Sequence, residues 1–71
     1  MMNRKEEVMR YRIKEFREKL KMSQNELAKK AKVSRTIISG LENGTITVTT
    51  TETLLKLSIA LECKVTDIFL N

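Results

Sequence analysis

Seventy-one residues with a net charge of +5 make one domain; a chain this short buries only roughly 60% of its unfolded surface, so it needs all the apolar core it can assemble. Cys63 is the single cysteine and histidine is absent, which excludes an intrachain disulfide, a metal-ligand cluster and the usual nucleophile–base pairs of an enzyme. No metal, cofactor, small-molecule ligand or catalysis is therefore expected.

The chain opens with Met1-Met2-Asn3-Arg4-Lys5 and runs into Glu6-Glu7 rather than an apolar segment. Residues 1–7 read as an extension of the domain. No stretch approaches the ~20 apolar residues needed to cross a bilayer, so a cytoplasmic protein without membrane contact is expected. The charge is lopsided. Residues 1–44 hold twelve Lys/Arg against six carboxylates, whereas 45–71 hold two against three. A polyanion suits the N-terminal side of such a chain, since neutralising phosphates is the sequence-independent part of nucleic-acid affinity.

Val8, Met9, Ile13, Phe16 and Leu20 recur at spacings of three and four, which predicts an amphipathic helix over 8–20 with a densely charged outer face. Ser23 followed by Glu26 is a capping-box pattern and starts a second helix, with Met22 placed as a hydrophobic staple against Leu27. Leu27, Ala28 and Ala31 share one side of it. Val33 follows, and Ser34 is a second N-cap ahead of Ile37, Ile38 and Leu41. A step of about 100° per residue turns Ile38 and Leu41 inward and leaves Thr36, Ser39, Gly40 and Asn43 outward, with Arg35 on the N-terminal flank. The stretch Ser23–Gly44 thus reads as two short helices joined by a tight turn.

Beyond Gly44, Thr45–Thr51 is β-branched in every position and predicts an extended connection, with Thr49 and Glu52 forming a second capping box. Pairing of this run with a strand of another chain is the less favoured alternative. In the helix that follows, Leu54, Leu57 and Leu61 lie on one stripe with Leu55 and Ile59 on an adjoining one, so it is expected to be nearly all buried. Cys63 reads as a small core residue. A short helix over 65–70 closes the chain, with Val65, Ile68 and Phe69 covering the core and Leu70 left without an evident partner.

The Ser23–Gly44 segment resembles the helix-turn-helix of the phage-repressor and Cro-like (xenobiotic-response-element type) regulators. Gln24 opens the first helix, Leu27-Ala28 lies inside it, Val33 follows the turn, Ile38 faces inward and Glu42-Asn43-Gly44 closes the second helix. The likeness extends from about Ile13 to Phe69, through IKEFREK, LLKLSIAL and VTDIF. In two places the sequence departs from the family pattern: Lys32 stands where the turn usually has glycine, and Gly40 where a larger polar residue is usual.

What the resemblance implies is an all-α, compact five-helix, lambda-repressor-like DNA-binding domain. It implies an ion pair between Arg17 and Glu42 that locks the first helix to the recognition helix, and a sequence-specific transcriptional regulator of the repressor type that binds double-stranded DNA. Arg35, Thr36, Ser39 and Gly40 would then read bases, while Gln24, Asn25, Lys30, Ser34 and Asn43 would meet phosphates. Gln24 and Asn25 gain from their place at a helix N-terminus. Gly40 costs a helix roughly 0.8–1 kcal/mol against alanine; either it brings the backbone close to DNA or it is tolerated, the second being favoured. Ile59 stands where the family often has a small or polar residue. With Phe69 and Leu70 it is expected to form a homodimer on a pseudo-palindromic operator, because one small domain offers too few base contacts for a unique site. The rival reading is a protein-interaction module such as an antitoxin, in which DNA binding is secondary.

Overall fold

The computed structural model describes residues 11–69, within which the chain forms five helices: α1 (Ile13–Lys19), α2 (Gln24–Ala31), α3 (Arg35–Asn43), α4 (Thr51–Ala60) and α5 (Val65–Ile68). The all-α architecture expected from the sequence is present. α2 packs on both α3 and α4, α1 packs on α3, and α5 closes against α4. Ile13, Leu27, Ile38, Leu41, Leu57 and Ile68 are the large side chains fully withdrawn from solvent, so every helix contributes to one core.

Local chemistry sets the helix boundaries. The Ser23 hydroxyl accepts from the Glu26 N–H at 3.0 Å and the Glu26 carboxylate accepts from the Ser23 N–H at 2.7 Å, which completes the expected capping box. Ser34 caps α3 by accepting from the Ile37 N–H at 3.2 Å. Between them the turn passes through Lys32 at φ 58°, ψ 44°, the left-handed conformation that costs an L-residue roughly 1–2 kcal/mol and explains the family's preference for glycine there. Gly44, at φ 87°, ends α3 in the same region.

Two boundaries and one pattern of burial differ from the sequence-based expectation. The helix expected over 8–20 is α1, and it starts at Ile13; Val8 and Met9 lie outside the described residues. Tyr11 instead pairs as an extended residue with Phe69, and the Arg12 N–H donates to the Ile68 carbonyl at 2.7 Å, so these backbone groups are committed to the far end of the chain. α4 is capped by Thr50, whose hydroxyl accepts from the Thr53 N–H at 3.1 Å, rather than by a box of Thr49 and Glu52. Nor is α4 nearly all buried. Leu54 and Leu57 face the core, but Leu55 and Ile59 are 50% and 68% exposed, because α2 and α5 cover only one side of the helix.

The connection 45–50 is neither helix nor strand and is held at two points. The Tyr11 hydroxyl donates to the Thr47 carbonyl at 2.9 Å, and the Ile46 N–H donates to the Gly40 carbonyl at 3.0 Å. Tyr11 and Phe69 stack at 5.5 Å between ring centroids. One aromatic residue thereby ties the segment before α1 to both the linker and the C-terminal end.

Candidate nucleic-acid interface

α3 presents its N-terminal turn to solvent. Ser34, Arg35 and Thr36 are exposed and Ser39 is half-buried, and Arg35, Thr36 and Ser39 line one open depression. The three side chains expected to read bases are therefore brought together on one surface. Their chemistry suits base edges: a guanidinium that donates two hydrogen bonds, and two small hydroxyls that donate or accept.

Gly40 is a correction. Expected outward with Thr36 and Ser39, it is buried. A Cβ built on it would stand 2.5 Å from Ile46 Cδ1 and Cγ1 and 3.1 Å from Ile46 Cβ. The linker doubles back over this face of α3, so the glycine makes room for Ile46 rather than for DNA, and it is required by packing rather than tolerated.

Behind the exposed turn lies a polar network that the sequence showed only in part. Arg17 Nε and Nη2 donate to Glu42 Oε2 and Oε1 at 2.8 and 3.0 Å, and Arg17 Nη1 donates to the Met22 carbonyl at 2.8 Å. The two side chains are only 11% and 5% exposed. The Arg17 pKa is raised further above its ordinary value, first by the hydrogen bond to Glu42. Gln24 then joins the network, its Nε2 donating to Glu42 Oε1 at 2.9 Å while its Oε1 accepts from Arg35 Nε at 3.3 Å. Both ends of the Gln24 amide are engaged within the chain.

The remaining positions expected at phosphates lie on different elements: Asn25 and Lys30 on α2, Ser34 just before α3 and Asn43 at its far end. Asn25 and Ser34 are exposed, Ser34 while capping α3. The Asn43 side-chain Oδ1 accepts from the Thr45 N–H at 2.9 Å and from the Thr45 hydroxyl at 2.7 Å. Lys30, at the end of α2, leans to Glu62 at 3.6 Å, with both side chains about half or more exposed. Such a pair contributes little and opens readily.

Of the residues expected at a subunit contact, Ile59 is exposed, Phe69 is committed within the chain to Tyr11, and Leu70 lies outside the described residues. Phe69 is partly buried, its ring packed on the core beside Tyr11.

A helix-turn-helix family model matches residues 13–68, the whole span from α1 to α5. The chain belongs to the Cro/C1-type helix-turn-helix family. Comparison with the curated proteins gives no match. This helix-turn-helix protein is a DNA-binding protein of the transcription-regulator type, and its partner is double-stranded DNA. Its described residues include no helix long and apolar enough to cross a membrane. Tyr11 and the double engagement of Gln24 are what sequence reasoning missed. Tyr11 sits inside an uninterrupted helical pattern and gave no signal, whereas Gln24 and Arg35 each directly follow a capping serine, which places them at equivalent ends of adjacent helices.

Proposed function

We propose that this helix-turn-helix protein is a sequence-specific transcriptional repressor that inserts α3 into the major groove. The observation that carries the reading is the open surface formed by exposed Arg35 and Thr36 with half-buried Ser39, toward the N-terminal end of a helix braced from behind by Arg17 and Glu42. That end of a recognition helix is the one that reaches base edges. Arg35, Thr36 and Ser39 read bases, while Asn25, Lys30, Ser34, Asn43 and the spare N–H of Gln24 meet phosphates. The protein acts as a homodimer on a pseudo-palindromic operator, with exposed Ile59 and its neighbour Leu55 as the contact.

Exposed Leu55 and Ile59 equally support the rival reading of an apolar docking module whose main partner is a protein. The two are separated by selecting bound sites from a random DNA library and titrating binding against salt. A repressor selects one two-fold motif and loses affinity steeply as salt rises. A docking module selects no motif, and its binding to a protein partner is insensitive to salt.

A further inference from the structure

Asn43 is the one asparagine of the chain that precedes a glycine, and it lies exposed at the last position of α3. Its Oδ1 accepts from the Thr45 N–H at 2.9 Å and from the Thr45 hydroxyl at 2.7 Å. A backbone N–H only donates, so the side-chain atom facing Thr45 is the carbonyl oxygen and not the amide nitrogen. Gly44, between the two, has no Cβ to shield its backbone nitrogen. That N–H donates to the Gly40 carbonyl at 3.0 Å, and the Ile46 N–H donates to the same carbonyl at 3.0 Å. When the last turn of α3 frays, as helix ends do, Ile46 keeps the Gly40 carbonyl satisfied while the Gly44 nitrogen is set free. The contact between Asn43 and Thr45 is local to three residues and outlasts that opening.

These are the parts of an intramolecular acyl transfer, and from them we infer that Asn43 and Gly44 form a self-modification site: Asn43 converts to a carboxylate, and the modified protein binds DNA weakly. Once hydroxide has taken its proton, the Gly44 nitrogen attacks Asn43 Cγ, a nucleophile held next to its target by the chain itself. The new N–Cγ bond closes a five-membered ring, and the electron pair of the C=O bond moves to Oδ1. Two Thr45 donors already stand there at oxyanion-hole distances. The pair returns, the Cγ–Nδ2 bond breaks, and the leaving nitrogen takes a proton from water and departs as ammonia, which regenerates the hydroxide. Water then opens the succinimide at either carbonyl, leaving aspartate or isoaspartate in place of Asn43. The net change is one water in and one ammonia out, with no oxidation.

Both products carry a negative charge where the amide was neutral. An aspartate keeps the backbone and still accepts from Thr45, so it changes the charge at the end of α3 and little else. Isoaspartate routes the main chain through Cβ and Cγ, which lengthens it beside the place where Ile46 packs on Gly40. The chemistry stands apart from the proposed phosphate contact of Asn43, whereas the loss of DNA affinity rests on that reading, through repulsion between the new charge and the backbone.

The whole protein is aged in mildly alkaline buffer, and peptide mapping by mass spectrometry follows each asparagine. Asn43 is expected to convert well ahead of Asn25, which precedes Glu26 within α2. Thr45→Val and Thr45→Ala, with folding checked by thermal melts, should slow conversion about two- to twelvefold, the worth of one net hydrogen bond. Thr45→Ser should keep the wild-type rate, and in urea, where the donors are dispersed, all four proteins should convert alike. The aspartate form purified from aged protein, and Asn43→Asp, should each bind the site selected by wild type about tenfold or more weakly, the worth of one hydrogen bond to a charged group. If Asn43 only keeps pace with Asn25, or folded Thr45→Val and Thr45→Ala convert at the wild-type rate, the self-modification is overturned. If Asn43 converts as expected but Asn43→Asp binds as tightly as wild type, the phosphate contact and the loss of binding fall together while the chemistry stands.

Discussion

Arg17 in α1 and Glu42 near the end of α3, twenty-five residues apart, meet through two parallel N–H···O bonds of 2.8 and 3.0 Å in a place nearly closed to water. Fork-to-carboxylate pairs of this kind are directional as well as attractive, so they fix the angle between the two helices. Breaking one partner strands the other charge. Arg17→Met is therefore expected to lower stability by about 3 kcal/mol, read as a drop in the thermal or urea midpoint. A loss of only a few tenths, the usual size for an exposed pair, would show that solvent reaches the site.

Arg35 and Lys30 are expected to fail in different ways. Arg35→Ala should remove about 1–3 kcal/mol of discrimination at one base position of each half-site, because no lysine reproduces a bidentate pair with guanine. Lys30→Ala should weaken all sequences alike and make the salt dependence shallower. Quantitative binding to a panel of single-base replacements distinguishes these outcomes, and a uniform loss in Arg35→Ala would reassign that residue to the backbone.

Gly40→Ala tests the packing of the linker on α3. Alanine gains roughly 0.8–1 kcal/mol in helix propensity, but its Cβ would overlap Ile46 Cγ1 and crowd Ile46 Cβ. Those atoms lie too near the backbone for the side chain to swing aside. The linker would have to move, at the expense of the bond from the Ile46 N–H to the Gly40 carbonyl. A net destabilisation of about 1–2 kcal/mol is expected. In an Ile46→Ala background the sign should reverse, and melts of the four proteins of this cycle supply the coupling.

The dimer contact predicts a change of mass. Leu55 and Ile59 lie one helical turn apart on the uncovered side of α4. Leu55→Lys with Ile59→Lys should leave the core untouched, give a folded monomer in sedimentation, and bind the two-fold operator far more weakly than wild type. A wild-type chain that is monomeric at high micromolar concentration and binds a single half-site would remove the dimer from the reading.

Burial raises the Cys63 thiol above its ordinary value of 9.0, with Asp67 adding to the effect. A folded-state pKa raised above the unfolded one means that the neutral thiol stabilises the fold below about pH 9 and that this contribution is lost as pH rises through the folded value. Wild type should accordingly lose stability above pH 9 more steeply than Cys63→Ser. Alkylation at pH 8 should also be slower in the native than in the unfolded protein.

The sequence by itself determined whatever depends on neighbours along the chain. The serine caps at Ser23 and Ser34, the inward positions of Leu27, Ile38 and Leu41, and the stop at Gly44 all follow from spacing and side-chain chemistry within a turn or two. The expected pairing of Arg17 with Glu42 came from likeness to a family, since nothing local brings residues so far apart together. Only the tertiary structure decided the rest. A 100° step places Gly40 outward, yet the linker folds back over it, and helical periodicity carries no information about what a distant segment will cover. The pattern over 8–20 runs through Tyr11 without a break, yet the Arg12 N–H next to it goes to Ile68 and the Tyr11 ring to Phe69, contacts that exist only once the two ends of the domain meet. Leu55 and Ile59 carry the hydropathy of core residues and are exposed because α4 has neighbours on one side. Gln24 looked like a first-turn polar residue free to meet phosphate; α2 had to pack against α3 before its amide could join Glu42 to Arg35.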